Sequence, residues 1–277
     1  MCLATALVLV VPGDALARSH APPRTHVTRG PAKPGHRPIV VLDPGHGGID
    51  PGCVSPDGTQ EKQVVLATAL QVRHRLQATR HFRVAMTRET DVFVPLNQRV
   101  AFAEVRHAAL FVSLHANFSP HRKARGAAIY RFTYRASDRD SALLALRENA
   151  AGLPGSGIDG LSPRVAHILA SLMRRETYLH SAMLQSSLLE GLGTGTTLVP
   201  DPARHARFVV LKAPDVPSVL IELGFLSNPQ DTRMLRSASY ENQLAKEVAD
   251  GIEAYFQKLD AARIPDLRDN PAEPTDG

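Results

Sequence analysis

From Pro38 onward the apolar positions alternate between short continuous runs and stretches of helical spacing. The run IVVLD predicts a buried strand over 39–43, followed by a Gly-rich loop over 44–58. Val65, Leu66, Ala69, Val72 and Leu76 then recur at helical spacing, which predicts a helix from about Gln60 with these residues on its buried side. A strand over 82–88, a helix beginning at Pro95 and strands over 109–115 (ALFVSLH) and 126–132 (GAAIYRF) follow. Strands alternating with helices of this length predict an α/β fold: a single domain with a mostly parallel or mixed central sheet and helices on both faces. Residues 136–190 break the rhythm. Two helical patterns, 137–150 and 162–190, flank the loop GLPGSGIDG at 152–160 and read as a helical insertion. Strand patterns return at 207–212 (RFVVLK) and 217–223 (PSVLIEL), and Leu244, Val248, Ile252, Tyr255 and Leu259 mark a last amphipathic helix.

The ends differ from this middle. Residues 3–11 (LATALVLVV) are apolar and precede Pro12, Gly13 and the small-x-small triplet Ala15-Leu16-Ala17. This reads as a signal peptide over 1–17 that lacks the usual basic leader, the alternative being a buried strand. Residues 18–37 are Pro-rich and basic and read as a linker; the folded domain is expected over 38–262 and a disordered tail over 263–277. No second apolar stretch is long enough to span a bilayer, so no integral membrane segment is expected in the mature chain. The chain would then be periplasmic or secreted.

Composition changes the picture in two places. With 277 residues, 43% hydrophobic and 21% charged, the chain has ample core and needs no disulfide framework. Its two cysteines, Cys2 and Cys53, allow one bridge at most, and removal of the signal would leave Cys53 alone. A net charge of +5 permits an acidic polymer as partner: nucleic acid, an anionic membrane surface or a cell wall. Aromatic residues are only 5%, Trp is absent and the arginines are scattered, so no nucleic-acid partner is expected.

Of twelve histidines, two sit at strand ends: His46, in Asp43-Pro-Gly-His-Gly-Gly48, and His115. Carboxyl ends of strands in open α/β sheets are where loops converge on a ligand crevice. Glu61 opens the first helix, where Thr59 is the candidate N-cap and the dipole favours a carboxylate. Two histidines and a glutamate from separate elements make a zinc ligand set that leaves a fourth position open. Glu222 ends an apolar strand, where an ionised carboxylate is costly unless it is paired or functional. A general base acting beside the metal accounts for it. Each residue also has a structural reading: His46 as a hydrogen-bonded turn residue, Glu61 as a solvated helix start, His115 as a core histidine, Glu222 as a partner of an arginine such as Arg88.

Taken together, VVLDPGHGG at 40–48, Glu61-Lys62, MTRETD at 86–91, LNQRV at 96–100, FVSLHAN at 111–117 and VLIELGFLSN at 219–228 resemble the zinc-dependent N-acetylmuramoyl-L-alanine amidases of bacterial cell-wall turnover. The resemblance runs from about Pro38 to Leu259. It implies that His46, Glu61 and His115 bind zinc, that Glu222 is catalytic, and that the substrate is the amide between the lactyl group of N-acetylmuramic acid and L-alanine in peptidoglycan. The insertion resembles that of the cell-separation subset, in which an inhibitory helix covers the zinc site until an activator with a degenerate peptidase-like domain releases it. On that resemblance 136–190 is a regulatory helical insertion and Glu148 is the candidate inhibitory zinc ligand; separately, the chain is expected to be a monomer. The alternative for Glu148 is a solvated helix-end carboxylate. Asn117 and Arg88 are read as scaffold residues or substrate contacts, and Cys53 is not read as a ligand. Two other functions are carried forward: a catalytically silent peptidoglycan-binding module, and a zinc peptidase or deacetylase on another amide.

Overall fold

The computed structural model describes residues 37–150 and 175–263. The segment expected as a signal peptide, almost all of the expected linker, the expected tail beyond 263, the expected loop at 152–160 and the first half of the helical pattern 162–190 lie outside the described residues. The elements run β1 (Ile39–Pro44), α1 (Glu61–Ala78), β2 (Arg83–Met86), α2 (Leu96–Val105), β3 (Leu110–Asn117), β4 (Ala127–Phe132), α3 (Arg139–Ala150), α4 (Arg175–Leu192), β5 (Leu198–Ala206), β6 (Ser218–Phe225), α5 (Pro229–Leu235) and α6 (Ala238–Arg263). They form a six-stranded sheet in the order β2-β1-β3-β6-β4-β5. The pairs β2-β1, β1-β3, β3-β6 and β4-β5 are parallel, and β4 runs antiparallel to β6.

Both faces are covered, as continuous apolar strands require. On one face Val40, Leu42, Val112, Leu114, Val219 and Ile221 pack with residues of α1, α4 and α6. On the other, Val41, Phe111, Leu220, Tyr130 and Phe132 pack with Ala103 of α2 and Leu144 and Ala145 of α3. The predicted buried side of α1 is found, with Leu66 only partly buried and Val64 taking part instead.

The region expected as an insertion divides in two. α4 is a layer of the domain: Leu184, Leu188 and Leu192 are fully buried in the first core cluster. It meets α6 through glycines, since a Cβ on Gly251 would stand 2.8 Å from the Leu188 Cα and one on Gly191 2.5 Å from the Glu247 carbonyl oxygen. α3 lies on the opposite face, started by Asp138, whose carboxylate accepts the Ser141 N–H at 2.7 Å.

The strand expected at 207–212 is not one. The strand is β5, ending at Ala206, and Val209–Leu211 is a single 3-10 turn. Asn149 at the end of α3 accepts the Val209 N–H and donates to the Arg207 carbonyl, each at 2.8 Å, so this backbone finds its partners away from the sheet. β5 escapes the pattern because it is an edge strand carrying Pro200 and Pro202, and its register against β4 slips across them: Ala127 faces Leu198 while Ile129 faces Ala203.

Candidate metal centre

The parallel strands β1, β3 and β6 deliver the site at their carboxyl ends. His115 on β3 stands beside Glu222 on β6 in register, and β1 runs into the turn that carries His46. That turn is over-determined. His46 adopts a left-handed φ of 57°, and its carbonyl accepts from the Arg99 guanidinium at 2.7 Å. Arg99 also pairs with buried Asp43 at 2.7 Å, and Asp43 accepts from Ser113 at 2.7 Å. Arg88 donates to the carbonyls of Pro44, Gly45 and Lys62. It is therefore a brace for the turn and not the partner of Glu222. Non-glycine residues keep such backbone angles only when the surroundings hold them there.

Glu61 is the first residue of α1 and is fully buried, so the solvated helix-start reading does not apply. Its N-cap is Gln60, without a side-chain bond, instead of Thr59, whose hydroxyl donates to Asp57. Two backbone donors orient the Glu61 carboxylate: Cys53 N–H to Oε2 at 2.8 Å and Ala116 N–H to Oε1 at 2.9 Å. Cys53 thus serves the site through its backbone, and burial pushes its thiol up, leaving it protonated and a poor ligand.

Glu148 arrives from the last turn of α3 and is buried, which removes the solvated reading for it too. One of its oxygens lies 3.2 Å from His46 Nε2 and 3.2 Å from His115 Nδ1; one Glu61 oxygen lies 3.1 Å from each of the same nitrogens. All four donor atoms fall within 4.8 Å of one another. The spacing is near the ~3.3 Å that separates two ligands on a tetrahedral ion with ~2.0 Å bonds. Within this ring the buried His46 Nε2 and Glu148 Oε2 lack a hydrogen-bond partner. Two imidazole nitrogens and two carboxylate oxygens converging in a buried space, one of each without a hydrogen-bond partner, suit a bound cation. Glu222 is not among the four. It is fully buried, and both of its carboxylate oxygens are without a partner.

The charges explain one another. Burial works against ionising Glu61, but His46 beside it holds the carboxyl down to about 2. Burial likewise opposes protonation of the histidines, yet Glu61 and Asp50 push His46 up to about 12, while Glu148 is the main influence that raises His115 to about 9. Glu148 is held well below the usual carboxylate range, against its burial, by His115 and His46. Glu222 is the exception: burial, with Glu148 and Glu61 nearby, raises it to about 8. Environments that push neighbouring carboxyls apart in this way mark different chemical tasks.

Three contributors escape a reading of the motifs. Asp50 accepts from His46 Nδ1 at 2.8 Å. Asp43, an acid in an apolar strand, carries the same signal that singles out Glu222. Arg147 donates to Glu148 Oε1 at 3.0 Å, to the Phe118 carbonyl at 3.0 Å and to the Asn117 side chain at 3.4 Å, tying α3 to the end of β3. With α3 so placed, the space among His46, His115, Glu148, Phe93 and Arg99 is about 10 Å³, room for one water-sized sphere. Among the described residues no helix is long and apolar enough to cross a membrane.

The sequence profile of the N-acetylmuramoyl-L-alanine amidases matches residues 40–254. The chain is 39% identical over 232 residues to N-acetylmuramoyl-L-alanine amidase AmiC of Neisseria meningitidis, an alignment covering 82% of this chain and 55% of that one. It is 37% identical over 230 residues to AmiA of Escherichia coli, covering 82% of this chain and 79% of that protein. The chain thus spans about half the length of the AmiC relative. Among solved structures, AmiC2 of Nostoc punctiforme superposes with a TM-score of 0.56 at 29% identity, covering 79% of this chain and 97% of that one. The catalytic domain of the amidase CwlV from Bacillus (Paenibacillus) polymyxa superposes with a TM-score of 0.55, also at 29% identity, covering 79% and 98%. The fold, the convergent site and these matches agree: the chain belongs to the N-acetylmuramoyl-L-alanine amidase family.

Proposed function

We propose that the protein is a zinc-dependent peptidoglycan hydrolase that cleaves the amide between the lactyl group of N-acetylmuramic acid and L-alanine, exported to the cell envelope, where it acts as a monomer in wall remodelling and daughter-cell separation. The observation that carries this reading is the convergence of His46, Glu61 and His115 beside a separately buried, unpartnered Glu222. In it His46, Glu61 and His115 hold the metal, and zinc, when bound, supplies Lewis acidity to the scissile carbonyl and to the attacking water. Glu222 takes a proton from that water as its oxygen adds to the carbonyl carbon. It then delivers the proton to the alanine nitrogen as the C–N bond breaks, and itself returns to the carboxylate. No side-chain nucleophile is needed. Glu148 in the fourth position, with α3 closing the space above, supports an autoinhibited resting state that an activator relieves by drawing α3, the part of the expected regulatory region 136–190 that covers the site, away. The signal peptide over 1–17 and the catalytic domain over 38–262 belong to the same proposal.

Digestion of purified peptidoglycan, followed by mass analysis of the fragments, tests the reaction. Free stem peptides beginning with alanine, and glycan strands with an intact lactyl group, are expected. Loss of acetyl groups, or cleavage within the stem, would point instead to a deacetylase or peptidase. Intact peptidoglycan that nonetheless binds, even with Glu148→Ala, would point to a silent binding module.

Gly45 gives a structural check on the metal reading. A Cβ there would stand 2.4 to 2.8 Å from three atoms of the His115 ring. Gly45→Ala is therefore expected to tilt the imidazole and weaken zinc binding about tenfold to a hundredfold, the scale for disturbing ligand orientation. Zinc content after dialysis measures it; a fully loaded variant would contradict His115 as a ligand.

A further inference from the structure

We infer that Asp50 is a positioning residue that sets which nitrogen of His46 faces the centre and how firmly it is held. The inference rests on the proposed role of His46 as a metal ligand. An imidazole can present either nitrogen, and the hydrogen bond made by one decides the role of the other. Here Asp50 Oδ2 takes the Nδ1 side of His46 at 2.8 Å, which leaves Nε2 turned into the buried centre with no hydrogen-bond partner. The carboxylate is itself pinned. Its second oxygen accepts the Gly52 N–H at 3.0 Å, and the Asp50 backbone exchanges two hydrogen bonds with Gly47 at 2.9 and 3.1 Å. Gly52 must be glycine for this to close: its φ is 65°, and a Cβ would stand 2.6 Å from Glu61 Oε2 and 2.7 Å from the His46 ring.

The left-handed backbone of His46 makes the brace necessary. Arg99 holds the His46 carbonyl at 2.7 Å, which fixes the main chain but leaves rotation about the ring's own bonds free. Asp50, four residues on, restrains that rotation. The arrangement parallels the two backbone donors that orient Glu61, with a side chain as the partner here. Asp50 is not one of the four converging residues; it acts through His46, holding the proton on Nδ1 and making the opposite nitrogen a better donor.

The test compares Asp50→Ala and Asp50→Asn with the unaltered full chain, reading zinc affinity by competition with a chromophoric chelator and the thermal midpoint of the metal-free protein. Asp50→Ala is expected to weaken zinc binding about tenfold to a hundredfold. Asp50→Asn, which still accepts from Nδ1–H, is expected to recover most of that loss. Unchanged zinc affinity in Asp50→Ala would overturn the inference. So would equal weakening in both variants together with a lowered metal-free midpoint, because that pattern reports a collapsed loop. His46→Ala separates this from failure of the underlying reading: if it binds zinc as tightly as the unaltered chain, His46 is not a ligand, whereas loss in His46→Ala with no change in Asp50→Ala removes the role of Asp50 alone.

Discussion

Glu222→Gln is expected to keep its fold and its zinc while losing on the order of a thousandfold in turnover on peptidoglycan, within the range that a positioned acid–base group contributes. The substitution keeps the shape of the side chain and removes only its ability to take and return a proton. Zinc should remain because Glu222 is not one of the four converging residues. Stability should hold or rise, since the native carboxyl is buried with both oxygens unpartnered, and burial raises it to about 8. A neutral amide there escapes the cost of either burying the charge or taking up a proton to avoid it. A residue that costs stability where it stands and is indispensable to turnover is the pattern of a functional site placed on a scaffold at the scaffold's expense. Turnover, zinc content and thermal midpoint measured together decide the matter. Near-normal turnover would remove Glu222 from the mechanism, and loss of zinc would make it a ligand.

How much of this was legible in the chain follows from where each residue sits. β1, β3 and β6 are buried on both faces, so their sequences are unbroken apolar runs, and the acids and histidines at their ends stand out against them. That contrast located His46, His115 and Glu222 without a structure. β5 was hidden for the opposite reason: half exposed at the sheet edge, with two prolines, it has neither an apolar run nor clean alternation. The apolar FVVL segment beside it was misleading because hydrophobicity reports burial, and Asn149 supplies its backbone with partners that a strand would have supplied. The short helix α5 did carry a signal, Asn228 at its N-cap with Pro229 following, but it lay against the end of the β6 run. Asp50 could not be read at all, because its bond to His46 depends on a left-handed backbone angle that no local pattern announces. Glu148 was visible only through the family resemblance: in sequence it is one more carboxylate near a helix end.

Glu148→Ala should raise the activity of the free enzyme, and by much more than an ordinary surface change could. α3 is held over the site by three separable sets of contacts: Glu148 toward the two histidines, Arg147 toward Phe118 and Asn117, and Leu144 with Ala145 in the core beneath. In a closed resting state of this kind the open form is populated at about 0.1–10%, which leaves roughly tenfold to a thousandfold of activity to be released. Removing the carboxylate takes away one set of contacts, so about tenfold is expected for the single variant, and more when Arg147→Ala is added. Zinc affinity should move the other way, because the same carboxylate is a candidate fourth ligand. That opposition is diagnostic: a variant that simply loosened the fold would lose zinc and activity together, and a solvated helix-end residue would change neither. The helix as a whole is a less suitable target for deletion, since a cut reaching into α4 would remove Leu184 from the core and confuse release with unfolding. Peptidoglycan turnover and zinc affinity measured on the same preparation settle it; unchanged or lower turnover in a folded, zinc-loaded Glu148→Ala protein would mean that α3 does not restrain the enzyme.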